Sequence, residues 1–390
     1  MKKGVGIVEC VCGCSNEQGQ VGNLARRIAR EHLAPRAAQT DQDRAFPWEA
    51  ISVMGQAQLP AVAVESVAGG LGAGRLGFTA VVEELARACA STALVFVSHV
   101  VALKAVEIAA GEEIKASLLP LLMRMEKLGA FAVHEPDSGC NHAALTTRAH
   151  REGEIYLLNG SKIFITSAGE ADLYLVMART GGGQGTQGLT ALLVSKDAPG
   201  LSFDRIEDKM GLRGTSSRTI HFSDCQVPAA NLLGVEDQGM QVMAGSIAGW
   251  GIFGAAAMAL GIAREATEAA LRHARERVIA GTPIGAQQAV QSLISNMVLG
   301  SEAAAALLAK CAAKADATPS SALVEAFKAK LFATETALEV TDQAIQVLGG
   351  HGYCRDYVVE RLYRDARGLT LHFKTSELLR QDIAKAALGF

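Results

Sequence analysis

The sequence predicts an α+β chain in which a helical domain, a small β domain and a four-helix bundle follow one another. Three observations carry this. Apolar residues recur at three- and four-residue spacing over the first third of the chain and again from about residue 237 to the end. The stretch between is built of short runs rich in β-branched and aromatic residues, separated by Gly, Asn, Asp and Pro. The 390 residues also exceed what one hydrophobic core usually serves. Helices and strands segregated in this way exclude a doubly wound sheet. The expected domains are residues 1–127, 128–236 and 237–390.

In the first domain, VGNLARRIAREHLAPRAAQ reads as a helix that Pro35 ends. LGFTAVVEELARACASTALVFVSHVVALKAVEIAA reads as one or two long helices. EEIKASLLPLLMRMEKL is a further helix, with Glu112 and Glu113 at its start, where the helix dipole favours acids. In the second domain, AFAVHEP, EIYLLNGSKIFITSA, ADLYLVMART, LTALLVSK and RTIHFSDCQV read as strands, with Asn159-Gly160 as a hairpin turn. GGGQGTQG at 181–188 reads as a flexible loop tip. Its glycines lack the dinucleotide-binding spacing, and no helix follows. In the third domain, helices are expected over 238–277, 286–315, 321–349 and 372–388, joined up-and-down by short turns.

Composition excludes several function classes. Apolar residues make up 49% and charged residues 20%, with a net charge of −3. No polybasic tract points to nucleic acid or a lipid surface. No secretory leader is evident at the start. Residues 244–263 carry no charge and are long enough for a membrane span. Their Gly and Ala content, the absence of a second such segment and the charged continuation REATEAALRHARER instead favour a helix buried in a bundle. Cys89, Cys140, Cys225, Cys311 and Cys354 are scattered singly, as reduced thiols of a cytoplasmic protein would be. Cys10, Cys12 and Cys14 form a C-x-C-x-C run that lacks both a fourth ligand and the usual spacing. No metal site is expected.

Ten stretches then fall in one order and register: VVEELARACASTAL, LGAFAVHEPDSGCN, YLLNGSKIFITSAGEADLYLVMART, DKMGLRGTSSR, VPAANLLG, ALGIAREA, RERVIAGTPIGAQQAVQ, AIQVLGGHGY, RDYVVERLYRDAR and TSELLRQDIA. With them the chain from about residue 20 resembles the acyl-CoA dehydrogenase family. The resemblance implies an N-terminal helical domain, a middle β-barrel domain, a C-terminal four-helix bundle, and FAD between them. It also implies an acyl-CoA substrate, an electron-transfer flavoprotein as electron acceptor, and a homotetramer or homodimer.

The resemblance also assigns cofactor contacts. Phe131, Val133, His134, Gly139 and Cys140 match the segment along the flavin and pyrophosphate, with a thiol and an imidazole where hydroxyls are usual. Phe164, Ile165 and Thr166 match the strand packed on the flavin, Thr166 donating toward N5. Arg277 and Gln288 match residues that reach a neighbouring subunit's FAD. The aromatic usual near them is Ala280. Gln346, Gly349 and Gly350 match a further FAD segment, glycine permitting close backbone approach. Thr375 and Glu377 match the pair that holds the adenosine half.

The same resemblance locates a vacancy. The family's reaction is α,β-dehydrogenation of an acyl thioester, with a glutamate as the base. That position is Phe373, whose backbone N–H is still able to serve the thioester oxygen. The alternative base position, on the first bundle helix, aligns with Gly251. The neighbouring family arginine is Ile252, and no carboxylate lies between Gln241 and Gly261. Losing a positioned base typically costs about 10²- to 10⁴-fold. His134, His372 and His99 are candidate replacements, since imidazole titrates near neutrality. For each, a hydrogen-bonded structural histidine is the more ordinary reading. Four functions remain open: dehydrogenation with a displaced base, redox-neutral elimination on a thioester, a flavin monooxygenase of the same fold, and an FAD-binding scaffold. An apolar pocket made roomy by Gly251 and Phe373 is expected to suit a branched, cyclic or bulky acyl chain.

Overall fold

The computed structural model describes residues 16–389 apart from Gly182 and Gln184. Cys10, Cys12 and Cys14 lie outside that range. Helix α1 (Asn16–Ile28) passes through a π turn at Ala29–Leu33 and a 3-10 turn at Ala34–Arg36 into α2 (Ala37–Asp43). Pro35 therefore does not end the helical run. It sits at the start of the 3-10 turn, where its missing N–H is not needed. Arg44, at φ +56°, ends α2 instead. The nine-residue α3 (Trp48–Gln56) was not foreseen, because so short a helix gives little periodic signal. The long apolar run divides into α4 (Gly74–Ala88) and α5 (Ala90–Ala109) at the extended residue Cys89. Helix α5 is buried continuously from Ala90 to Val106, and α6 (Glu112–Met123) opens on its two glutamates.

The middle part is one eight-stranded sheet. Its strands are β1 (Gly129–Ala132), β2 (Arg148–Glu152), β3 (Ile155–Ile165), β4 (Leu173–Arg179), β5 (Leu189–Ser195), β6 (Leu201–Phe203), β7 (Arg218–Pro228) and β8 (Leu232–Leu233). They run in the order β6-β7-β3-β2-β4-β5-β8, with β1 parallel to β4. Among the described residues the terminal strands β6 and β8 form no ladder with each other. Asn159-Gly160 is not a hairpin turn. Strand β3 runs straight through it, with a register shift against β7 between Leu158 and Gly160. Gly160 is needed there for close approach, since a Cβ would lie 2.6 Å from Thr147 Oγ1. The hairpin lies at Gly153-Glu154, between the paired Glu152 and Ile155, where Gly153 supplies φ +59°. The glycine-rich 181–188 tip is tied down by Arg179, whose guanidinium donates to the carbonyls of Gly183 (2.8 Å), Gly185 (2.9 Å) and Gln187 (3.1 Å).

The third part begins with α7 (Gly239–Met243), which becomes a π helix at Ala244–Gly251 and continues as α8 (Ile252–Glu276). Trp250 anchors the π stretch between two cations. Lys104 Nζ lies 4.5 Å and the Arg75 guanidinium 5.1 Å from its ring centroid. Arg75 Nε also donates to the Gly249 carbonyl (2.9 Å). A short hairpin, β9 (Val278–Ile279) and β10 (Thr282–Pro283), leads to α9 (Gln288–Ala317), α10 (Ala322–Leu348), α11 (Val358–Leu369) and α12 (Ser376–Leu388). Helices α8, α9, α10 and α11 pack on one another, and α12 lies on α10. The amphipathic α11 lies between the expected helices 321–349 and 372–388 and is additional to them. Its sequence is VVERLYRDARGL, where charge obscures a buried stripe of Val359, Leu362, Ala366 and Leu369.

Among the described residues three helical runs are long and apolar enough to cross a membrane: Ala90–Ala109, Gly239–Glu276 and Gln288–Ala317. The expectation of a single such run is thereby corrected; Lys104 and His99 hide the apolar character of α5. The apolar windows of the first two are 83% and 100% buried, as core helices require.

Candidate active site

The site is organised around Glu135, just past β1. Its carboxylate accepts from Lys162 Nζ (2.7 Å) and from the backbone N–H groups of Thr146 (2.6 Å) and Thr147 (2.9 Å). Burial alone would raise this carboxyl, but the Lys162 charge and these donors hold it at about 2. Lys162 also donates to the Val133 carbonyl (3.0 Å), and the Ile163 N–H to that of His134 (2.9 Å). The 131–135 segment is thus locked against β3, and Cys140 Sγ lies 3.8 Å from His134 Nε2.

Beyond Lys162, β3 is irregular. Its register against β7 shifts before Ile165, and Phe164 takes φ +54°. A β-bulge re-aims side chains at functional sites. This one leaves the Phe164 ring 65% exposed while Ile165 and Thr166 are buried. The Thr166 hydroxyl makes no hydrogen bond among the described residues. A large apolar ring turned outward beside an unsatisfied hydroxyl suits a flat ligand with a polar edge.

Phe373 comes to this place from the loop between α11 and α12. It is 7% exposed and left-handed, at φ +60°. Its ring stacks on Phe131, 5.3 Å between centroids and 20° between planes. On its other side is the end of the π stretch: a Cβ on Gly251 would lie 2.6 Å from Phe373 Cε1 and 2.9 Å from Val101 Cγ2. The space freed by glycine at 251 is therefore filled by the phenyl ring, and the roomy pocket expected from these residues is corrected. The neighbouring N–H groups are bonded, His372 to Gly368 O (3.2 Å) and Lys374 to His372 O (2.7 Å). The Phe373 N–H has no acceptor among the described residues.

The His372 ring lies beside that of Phe373, 6.4 Å between centroids, and two further imidazoles act on one another nearby. His372 Nδ1 lies 3.1 Å from the Gly368 carbonyl, to which it must donate, leaving Nε2 as acceptor. Burial, with the charges of Lys330 and Lys209, lowers its pKa to about 4, and it feels the charge of His134. His142 has its ring 6.3 Å from that of His134 and is lowered to about 4 by burial and by His134 and Lys374. His134 is itself lowered by burial and Lys162. Two domains thus place three neutral imidazoles about one locus.

His99 has a different position. Its Nε2 donates to Leu122 O (2.8 Å), and its Nδ1 accepts from the Gly129 N–H (3.0 Å). Both nitrogens are committed, so it has no lone pair for a substrate proton. It bolts α5 to the end of α6 and the start of β1. Replacing it with leucine is expected to cost about 1–3 kcal/mol for each buried partner left unsatisfied, read from urea unfolding. Burial lowers its pKa from 6.5 to about 4. The unfolded chain therefore binds the proton first, and stability is lost as pH falls from 6.5 towards 4, by about 1.4 kcal/mol per unit. His99→Leu should lack that share of the slope.

The remaining predicted contacts form a second group. Arg277, at the C-terminal cap of α8, and Gln288, Gln346, Gly349 and Gly350 are all exposed. Arg277 has no acidic partner among the described residues. Gly349 has φ +59° and, like Gly350 and Gly139, has open space where a Cβ would stand. Because Gly251 and Arg277 cap the two ends of the 25-residue α8, which rises about 1.5 Å per residue, Arg277 lies about 39 Å from Gly251. A single chain does not unite the two groups. Thr375 is the N-cap residue of α12, and its hydroxyl, after the Glu377 backbone N–H, holds the Glu377 carboxyl below its usual range.

Three family models cover the chain: acyl-CoA dehydrogenase N-terminal domain over residues 15–126, middle domain over 130–225 and C-terminal domain over 237–388. The chain belongs to the acyl-CoA dehydrogenase family. Among similar proteins, the mitochondrial isobutyryl-CoA dehydrogenase of Dictyostelium discoideum is 36% identical over 91% of this chain and 85% of its own length. The acryloyl-CoA reductase (NADH) of Anaerotignum propionicum is 35% identical over 96% and 95%. Butyryl-CoA dehydrogenase from Megasphaera elsdenii superposes with a TM-score of 0.92 at 32% identity, covering 96% of this chain and 98% of that one. A chain solved in work on the electron transferring flavoprotein of Acidaminococcus fermentans gives 0.92 at 34%, over 96% and 98%.

As an acyl-CoA dehydrogenase family member, the chain is an FAD-dependent oxidoreductase. The outward Phe164, the unbonded Thr166 hydroxyl and the open backbone at Gly139, Gly349 and Gly350 fit that cofactor. Sequence reasoning missed His142 and Lys330. His142 ends the run HEPDSGCNH, in which a second histidine was the available signal. Lys330 interrupts the buried stripe Ala326, Ala333 and Ala337 of α10, and a charge in such a stripe calls for an explanation.

Proposed function

We propose that this dehydrogenase oxidises an acyl-CoA thioester at the α,β bond with His372 as the base. The observation that carries the reading is the Phe373–Gly251 contact: neither usual base position holds a carboxylate, and the ring of one fills the space of the other. His372 stands next in sequence, with its tautomer fixed by Gly368 and Nε2 free to accept. The Phe373 N–H, without a protein acceptor, suits the thioester oxygen. When bound, FAD supplies the two-electron acceptor for the β hydride. His372 takes the α proton at Nε2, Phe373 N–H steadies the enolate-like oxygen, and the stacked Phe131 and Phe373 rings keep water out.

Phe131, Val133, His134, Gly139, Cys140, Phe164, Ile165 and Thr166 would hold the flavin and pyrophosphate. Thr375 and Glu377 would hold the adenosine half. Arg277, Gln288, Gln346, Gly349 and Gly350, at the far end of α8, would serve the FAD of a second copy, so the working form is a homodimer or homotetramer. Electrons then leave to an electron-transfer flavoprotein, the kind of protein named in the work on the Acidaminococcus relative.

The test is anaerobic absorbance of the FAD-loaded protein titrated with a panel of acyl-CoA thioesters. Bleaching by one of them is expected. A yellow protein bleached by none would overturn the dehydrogenase reading. Bleaching only by reduced nicotinamide or a reductase, followed by oxygen consumption, would indicate a monooxygenase.

A further inference from the structure

Lys330 is 0% exposed, and no carboxylate pairs with it among the described residues. Its ammonium donates instead to two backbone carbonyls, Lys374 O at 2.6 Å and Thr370 O at 3.3 Å. A buried cation without a counter-ion is costly. Burial accordingly lowers its pKa to about 8. An apolar residue would fill the same place in the α10 stripe without that cost. The two carbonyls bracket Phe373, whose left-handed φ of +60° is itself unfavourable for a residue with a Cβ. Of the N–H groups between them, that of Phe373 has no protein acceptor among the described residues. The loop's own backbone adds the Lys374 N–H to His372 O bond (2.7 Å) across Phe373, and its other side-chain fastenings are His372 to Gly368, Thr370 Oγ1 to Arg367 O (2.9 Å), and Lys374 to Asp382.

We propose that Lys330 is a positioning residue: by holding the carbonyls of Thr370 and Lys374 it fixes the left-handed turn at Phe373 and so aims the Phe373 N–H at the thioester oxygen. This rests on the thioester reading above, and two measurements separate the fate of each. The first compares binding of pivaloyl-CoA, which has no α proton to lose, with neopentyl-CoA, its thioether without the carbonyl oxygen, to the FAD-loaded enzyme. The wild type is expected to prefer the thioester by about tenfold, the worth of one good hydrogen bond. Lys330→Met should bring the preference close to unity. Lys330→Arg, which retains donors for both carbonyls, should keep most of it. The second measures hydrogen exchange of the 369–375 peptide, independent of any substrate. In Lys330→Met it should speed up about tenfold or more, while peptides within α10 remain protected.

A Lys330→Met enzyme that keeps the wild-type preference, or whose loop exchanges no faster, overturns the proposal. So does faster exchange spread evenly over α10, which would be a purely structural effect. A wild type without any preference for the thioester overturns the placing of the oxygen at Phe373, and with it the reading on which this rests; the exchange result still decides whether Lys330 holds the loop. If Lys330→Met does not fold, Lys330→Gln, too short to span both carbonyls, takes its place in both assays with the same expected losses.

Discussion

Phe373→Glu is expected to speed flavin reduction by a straight-chain acyl-CoA by about 10²-fold or more, the lower end of what a positioned general base contributes. The backbone at 373 already delivers the residue to the site, and a glutamate there is smaller than the phenyl ring it replaces. Gly251→Glu should give no such gain. Its Cβ would lie 2.6 Å from Phe373 Cε1 and 2.9 Å from Val101 Cγ2, so it forces overpacking that typically costs about 1–3 kcal/mol. Combining Gly251→Glu with Phe373→Gly should relieve the clash and recover activity. Stopped-flow absorbance under anaerobic conditions checks all three. A Phe373→Glu enzyme no faster than wild type would mean that the α carbon does not lie near residue 373.

His372→Ala is expected to lower the same reductive half-reaction by about 10²- to 10⁴-fold with FAD still bound. The pH profile provides a second reading. The base must be neutral to act, and burial together with Lys330 and Lys209 holds His372 at about 4. The wild-type rate should therefore climb as pH rises through about 4 and stay level through neutrality. An unperturbed histidine would put the climb near 6.5. His134→Thr, which restores the hydroxyl usual at that position, should leave the half-reaction within a few-fold of wild type. A large loss there and none in His372→Ala would move the base to His134.

The sequence made the three-part architecture legible because periodicity survives in long elements: α8, α9 and α10, with 25, 30 and 27 residues, could hardly read otherwise. It failed where local chemistry was overruled by tertiary contact. Asn159-Gly160 has the composition of a hairpin turn, yet the glycine serves the approach of β3 to Thr147. Pro35 has the composition of a stop, yet a 3-10 turn accommodates it. At the site, the motif register identified the vacancy at Phe373 and Gly251 but could not show that the two residues touch, since contact between positions so far apart in sequence has no local signature. His99, His134 and His372 were equivalent as imidazoles in a sequence. Only the partners of each nitrogen separate the structural bolt from the candidate base.

The contact between Phe373 and Gly251 also bears on how this lineage can change. Any glycine codon becomes an aspartate or a glutamate codon by altering its middle base, so a carboxylate at 251 lies within easy mutational reach. The ring at 373 makes that step unprofitable while it remains. Turning phenylalanine at 373 into glutamate requires every base of the codon to change. The nearer route is sterically shut and the open route is genetically distant, so the pair acts as a ratchet against gaining a carboxylate at either position by single steps.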